Sequence, residues 1–251
     1  MNRARSASIV VLVLLGAGLL PVPSAGQVLI PEADMELVPV LLVPGWGDQA
    51  PDNLRPLRDR LVGAGWPESR VSVLAFEDPV GSNEVHALEI ARAVRVLQAL
   101  TGESKIDVVA HSMGGLALRQ YLQFEGGREN VRRAVFLGTP HRGTVAAMLA
   151  WGEGGREMAP GSDFLTRLNE AERFPGEVEA LSVRTPVDLR VIPGSSAMLP
   201  GARNVEVCCP SHNGLAEDER VFEQVHHFLI HGADGLGAPD DTIPLRGGRG
   251  G

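Results

Sequence analysis

Apolar and polar positions along the chain switch between two periods. Val38-Pro39-Val40-Leu41-Leu42-Val43 is nearly continuous in apolar character, as a strand buried on both faces requires. Pro44-Gly45-Trp46-Gly47-Asp48 breaks it. Residues 52–62 have helical spacing, with Leu54, Leu57 and Leu61 on one stripe and Pro56 near the start. Val71 to Phe76 predicts a strand. Ser82 or Asn83 can cap a long helix whose stripe includes Val85, Leu88, Ile90, Val94 and Leu97, and Gly102 ends it. Ile106 to Ala110 predicts a strand, Leu116 to about Phe124 a helix, and Val131 to Leu137 another strand. Residues 141–185 read as a long, mixed connection. Asp188 to Ile192 and Asn204 to Cys208 predict the last strands, and Glu219 to Leu229 the last helix. Strands alternating with helices imply an α/β fold, with a mostly parallel central sheet covered on both faces.

The two ends depart from this pattern. Arg3 and Arg5 precede an apolar run from Ile9 to Leu20, which Pro21-Val22-Pro23-Ser24-Ala25-Gly26 closes. A charged start, a short apolar core and a small-residue exit read as a secretory signal peptide over 1–26. A retained anchor is the alternative, but the run is short for a span and ends in prolines. The expected globular domain is then 27–231, and the Gly-, Asp- and Pro-rich residues 232–251 read as a disordered tail. At 251 residues and 44% hydrophobic content, the chain can bury one substantial core. Its net charge of −8, with Lys105 the only lysine, leaves no basic stripe for nucleic acid. Cys208 and Cys209 are adjacent, so they cannot staple distant elements. A vicinal disulfide and a pair of buried thiols are both open, and the strand-like Val205 to Cys208 favours the thiols. Metal-ligand spacing is absent.

The chemistry concentrates in Ala110-His111-Ser112-Met113-Gly114-Gly115, between a predicted strand and a predicted helix. A sharp strand-to-helix turn lifts a serine hydroxyl clear of the sheet and needs small neighbours, which Ala110 and Gly114 supply. Two other predicted strand ends carry partners. Pro44-Gly45-Trp46-Gly47 can present the Trp46 amide to a substrate oxygen, with the Met113 amide as second donor. His212, in Pro210-Ser211-His212-Asn213-Gly214, can reach Ser112 as general base. Each alone has a bland reading, a turn or a loop histidine. Together they define a nucleophile, a base and an anion cradle.

With these segments and Leu137-Gly138-Thr139-Pro140-His141-Arg142-Gly143-Thr144, the chain resembles the α/β-hydrolase superfamily, and within it the small secreted bacterial lipases and esterases. The resemblance covers about 37–230. It implies that Ser112 is the nucleophile, His212 the base, and the Trp46 and Met113 amides the oxyanion donors. No cofactor and no obligate protein partner is implied. The implied substrate is a carboxylic ester or acyl lipid, which admits a lipid–water interface as a partner. A fold kept for lipid or partner binding without turnover, and an acyltransferase or thioesterase using the same serine, are the competing readings.

The acid departs from the family pattern. The loop expected to carry it, Pro193 to Pro200, has no carboxylate. Asp188 is expected at the start of the strand 188–192, more than ~13 Å from its far end at about 3.3 Å per residue, and is rejected on that ground. Glu153, Glu157, Asp163, Glu217 and Asp218, or Ser195 and Ser196 in a dyad, stay open. Among the other histidines, His111 is expected to pack or hydrogen-bond in the turn and His86 to lie on a helix surface. Met148, Leu149, Trp151, Met158, Phe164 and Leu165 are expected either to line an acyl site or to pack a cap helix in 141–185. Gly152 to Glu157 reads as a flexible polar hinge.

Overall fold

The apolar runs sort onto two faces of one sheet because successive side chains in a strand point to opposite sides. The computed structural model describes residues 37–47, 51–170 and 177–234; the expected signal peptide and most of the expected tail lie outside them. The described residues form strands β1 (Val40–Val43), β2 (Val71–Val73), β3 (Ile106–His111), β4 (Val131–Leu137), β5 (Glu179–Arg184) and β6 (Arg203–Glu206). They lie in the order β2-β1-β3-β4-β5-β6, and every neighbouring pair is parallel. The helices are α1 (Arg55–Gly63), α2 (Asn83–Thr101), α3 (Gly114–Phe124), α4 (Gly152–Glu157), α5 (Asp163–Glu170) and α6 (Glu219–His231).

Leu41, Val43, Val108, Ala110 and Phe136 face one side and bury Ile90, Val94 and Leu97 of α2 with Leu118 and Tyr121 of α3. Val40, Leu42, Val109, Val135 and Val183 face the other and bury Leu57 and Leu61 of α1 with Val225 and Phe228 of α6. Capping fixes the long helix as the residues predict. The Ser82 side chain accepts from the Glu84 amide, and Gly102 ends α2 in the left-handed conformation.

One expected strand is displaced. The strand beside β4 is Glu179–Arg184, inside the region read as connection, and residues 188–192 form a loop beyond its carboxyl end. Ser182 is buried in β5 because its hydroxyl donates to the Ala197 carbonyl at 2.7 Å, so a polar residue sits where a core position is needed. His86 is also corrected. It is fully buried, stacks on Phe76 with ring centroids 3.9 Å apart, and bonds the Asp78 carbonyl at 2.7 Å. Cys208 and Cys209 are exposed and joined as a vicinal disulfide, so the pair is not the expected buried thiols.

The connection after β4 folds as a small cap rather than a loose hinge. Met113 and Leu116 pack against Ala147, Met158, Phe164, Leu165 and Leu168 in a third apolar cluster. The Glu157 carboxylate accepts from the Ser82 hydroxyl, the Asn83 amide and the Asn83 side chain, each at 2.7 Å. The Gly154 amide donates to the Val80 carbonyl at 3.0 Å. Gly154 must lack a side chain, since a Cβ there would lie 2.6 Å from both the Gly81 oxygen and the Met113 sulfur. The helix expected to hinge is therefore tied to the start of α2.

Candidate active site

Trp46, Ser112, His141, Asp188 and His212 each follow the carboxyl end of a different parallel strand, where this architecture gathers loops. Ser112 ends β3 in a turn with φ of 53°, the only non-glycine residue with positive φ among those described. Such a conformation is unfavourable for a side-chain-bearing residue and is held by its surroundings. Here the Ser112 amide donates to the Leu137 carbonyl at 2.8 Å, and α3 starts two residues on. The glycines after Met113 let that helix approach. A Cβ on Gly114 would lie 2.1 Å from the Pro44 oxygen, and one on Gly115 would lie 2.0 Å from the Thr139 hydroxyl. The Pro44 loop is thus pressed against the start of α3, which brings Trp46 and Met113 to one place. Neither the Trp46 nor the Met113 amide donates to a backbone carbonyl among the described residues. Both stay available to a developing oxyanion.

His212 lies in the turn after β6. Its Nε2 is 2.9 Å from Ser112 Oγ, and its Nδ1 is 2.8 Å from Asp188 Oδ2. The rejected carboxylate is therefore the one on the histidine. Because β5 ends at Arg184, Asp188 begins the loop beyond the strand instead of the strand itself. The His212 and Asp188 side chains are 5% and 3% exposed. Asp188 Oδ1 accepts the Arg190 and Val191 amides, each at 2.8 Å. Burial pushes the Asp188 carboxyl upward. The hydrogen bond and charge of His212 with the two amides outweigh this and hold it below the usual carboxylate range. The Asp188 carboxylate is thus ionised beside the imidazole.

The other candidate acids have different work. Glu157 anchors the cap, as above, and Asp218 caps α6 by accepting the Arg220 and Val221 amides. Glu153 pairs with Arg156 at 3.6 Å. Asp163 opens α5 and Glu217 follows the turn that carries His212; neither bonds the imidazole. Ser196 is buried with its hydroxyl on the Gly143 carbonyl. His141 is buried, and its carbonyl accepts from Arg119 and Asn169 at 3.4 and 3.0 Å. Burial, with Arg119 and Arg142 nearby, drives its pKa well below 6.5, so it organises the Gly-Thr-Pro-His loop as a neutral ring. Among the described residues no group of three or more His, Cys, Asp or Glu side chains could hold a metal ion.

A cavity of about 240 Å³ opens on Ser112, lined by Trp46, Ala147, Leu149, Met158, Leu189 and Val191 among others. Two of its apolar lining residues face solvent, Leu149 at 87% exposed and Leu189 at 81%, and Met148 and Trp151, close to Leu149 along the chain, are 86% and 66% exposed. Trp46 packs edge-on against Trp151 at 4.4 Å between centroids and donates its indole N–H to the Trp151 carbonyl at 3.0 Å. Of the six residues expected to line an acyl site or pack a cap, Phe164 and Leu165 pack the cap. Leu149 lines the cavity, Met158 does both, Met148 stands in solvent, and Trp151, though exposed, packs on Trp46.

Comparison with known proteins agrees with the fold. The α/β hydrolase fold family matches over residues 45–162. The mature form of a Bacillus licheniformis lipase is 16% identical, with 77% of this chain and 92% of that chain covered and a TM-score of 0.65. Aspergillus fumigatus lipase B is 18% identical, with 77% and 52% covered and a TM-score of 0.65. The match thus spans about half the length of the fungal protein. A gene product of Listeria innocua is 17% identical, with 77% and 94% covered and a TM-score of 0.56. The chain has the α/β-hydrolase fold. In structure it is similar to bacterial and fungal lipases.

Proposed function

We propose that this chain is a secreted serine hydrolase that cleaves carboxylic esters with apolar acyl groups. The observation that carries the reading is the hydrogen-bonded chain Ser112–His212–Asp188, at 2.9 and 2.8 Å. Ser112 Oγ attacks the ester carbonyl carbon while His212 Nε2 takes its proton. The oxyanion is received by the Trp46 and Met113 amides. Collapse expels the alcohol, which takes the proton back from His212 and leaves an acyl group on Ser112. Water, deprotonated by His212, then attacks the acyl carbonyl, and the acid leaves as Ser112 Oγ takes the proton back from His212. Asp188 holds the imidazole in the Nδ1–H tautomer and stabilises its charged form.

The cavity and rim support the substrate class. A volume of about 240 Å³ lies below the ~300–1,000 Å³ typical of drug-sized ligands. It suits a short or medium acyl chain, with the exposed rim meeting the remainder or a lipid–water interface. Binding without turnover would fit a site that lacks the acid, and the Asp188 carboxylate 2.8 Å from His212 Nδ1 argues against it. Hydrolysis of p-nitrophenyl esters from short to long acyl chains, by the protein beside Ser112→Ala, tests the proposal. Activity is expected with short and medium chains and is expected to vanish in the variant. Equal rates in the two proteins would refute it, as would no activity in a folded protein.

A further inference from the structure

His111, directly before the nucleophile, is 2% exposed and lies against the base, with ring centroids 4.8 Å apart. Its Nε2 is 3.1 Å from the His212 carbonyl oxygen. A carbonyl only accepts, so Nε2 carries the proton and donates. The ring's other nitrogen, Nδ1, is buried without a partner among the described residues. A proton there would be a buried donor with nothing to receive it. The groups facing the ring are His212, Asp188 and Arg190, and burial with His212 lowers its pKa to about 3. The ring is a neutral donor at any pH where the enzyme would work.

This bond has a particular position. Among the described residues the His212 carbonyl otherwise receives only the Leu215 amide, at a long 3.4 Å. His111 therefore supplies the shorter anchor of the base's own backbone. It does so from the residue covalently joined to Ser112, so the two reacting side chains hang from directly bridged backbones. The neighbouring residues of the loop are held separately, the Pro210 carbonyl by the Thr185 hydroxyl at 2.8 Å and Ser211 by the Gly214 and Leu215 amides at 3.1 Å each.

We infer that His111 is a positioning residue that sets the Ser112–His212 separation by donating to the His212 carbonyl. The inference rests on the proposed hydrolase reading, and the role is that of a donor rather than a proton carrier. Removing the donor lets the imidazole drift by fractions of an ångström, enough to lower turnover without touching the substrate pocket.

Three proteins test it: wild type, His111→Gln, which keeps an N–H near the Nε2 position, and His111→Phe, which keeps the ring volume without a donor. For p-nitrophenyl butyrate, kcat is expected to fall tenfold or more in His111→Phe with KM within twofold. His111→Gln is expected to stay within about threefold, with the acid-limb midpoint of its pH profile unchanged. A Gln variant as impaired as Phe, or a kcat retained by Phe, overturns the role. A readout independent of turnover is the low-field proton resonance of the His212 Nδ1–H on Asp188. It is expected to be sharp in wild type and Gln and exchange-broadened in Phe. An equally sharp resonance in folded His111→Phe overturns the inference even if no ester is cleaved. Absence of turnover in wild type would count against the hydrolase reading alone.

Discussion

Asp188→Asn removes one charge and almost no volume, and the surroundings decide how the amide must sit. Asp188 Oδ1 accepts two backbone amides, from Arg190 and Val191, each at 2.8 Å, while Oδ2 accepts His212 Nδ1–H. An Asn that turned its oxygen to His212 would face its NH₂ into those two amides. The Arg190 and Val191 N–H groups would lose their acceptor, at about 1 kcal/mol each, and would face the NH₂ as donor against donor. The oxygen therefore stays on the amides and the NH₂ points at His212. A donor opposite Nδ1 forces the imidazole into the Nε2–H tautomer, so the nitrogen facing Ser112 Oγ no longer accepts a proton. The analogous change in a well-studied triad lowers turnover about 10⁴-fold. At 1.36 kcal/mol per tenfold, that is about 5.4 kcal/mol of lost transition-state stabilisation. The assay is steady-state p-nitrophenyl ester hydrolysis with active-site titration. KM should change little, because Asp188 does not line the cavity. The variant should fold, because its two amide bonds persist. A folded Asp188→Asn that kept more than a tenth of wild-type kcat would show that this carboxylate does not orient the base.

Three further outcomes follow from the packing. Gly115→Ala would place a Cβ 2.0 Å from the Thr139 hydroxyl and is expected to destabilise by about 3 kcal/mol or more, read by urea unfolding. Glu157→Ala removes the acceptor of three bonds at the start of α2 and is expected to cost about 3 kcal/mol in thermal unfolding; a loss under 0.5 kcal/mol would show that the cap is not anchored there. His111 gives a pH dependence of stability. Its pKa falls from 6.5 to about 3 on folding, so below pH ~6.5 the unfolded chain takes a proton that the folded one refuses. Its contribution is therefore harmless above pH 7 and increasingly unfavourable as pH falls, by about 2 kcal/mol at pH 5. His111→Gln lacks this linkage and should gain about 2 kcal/mol on wild type between pH 7 and pH 5, measured by denaturant unfolding at both.

β1, β3 and β4 were readable because strands buried on both faces carry unbroken apolar runs, here Val40–Val43, Val108–Ala110 and Ala134–Leu137, and α2 because Ser82 and Gly102 punctuate it. Ser112 and His212 were readable because their flanking residues report turn chemistry rather than packing. β5 was not. Glu179-Ala180-Leu181-Ser182-Val183-Arg184 is short and broken by a buried serine whose partner is remote in sequence. Leu189 and Ile192 instead gave the loop 188–192 the look of a strand, although both are exposed there. That single displacement cost the acid, since the distance argument against Asp188 was sound for a strand that does not exist. The signal that could have found it is the Asp itself: two residues past Pro186, followed by amides free to bond its oxygen. His86 was misplaced for a related reason, because its stacking on Phe76 depends on how the loop before α2 folds back.

The central claim is that Ser112, His212 and Asp188 act as one reactive unit. The most direct measurement is reaction of the folded protein with a fluorophosphonate, followed by peptide mass spectrometry of the adduct. The account predicts a single adduct on Ser112, formed rapidly in wild type and at least a hundredfold more slowly in His212→Ala and Asp188→Asn. No adduct on Ser112 in folded protein, or labelling that is indifferent to both substitutions, would contradict it.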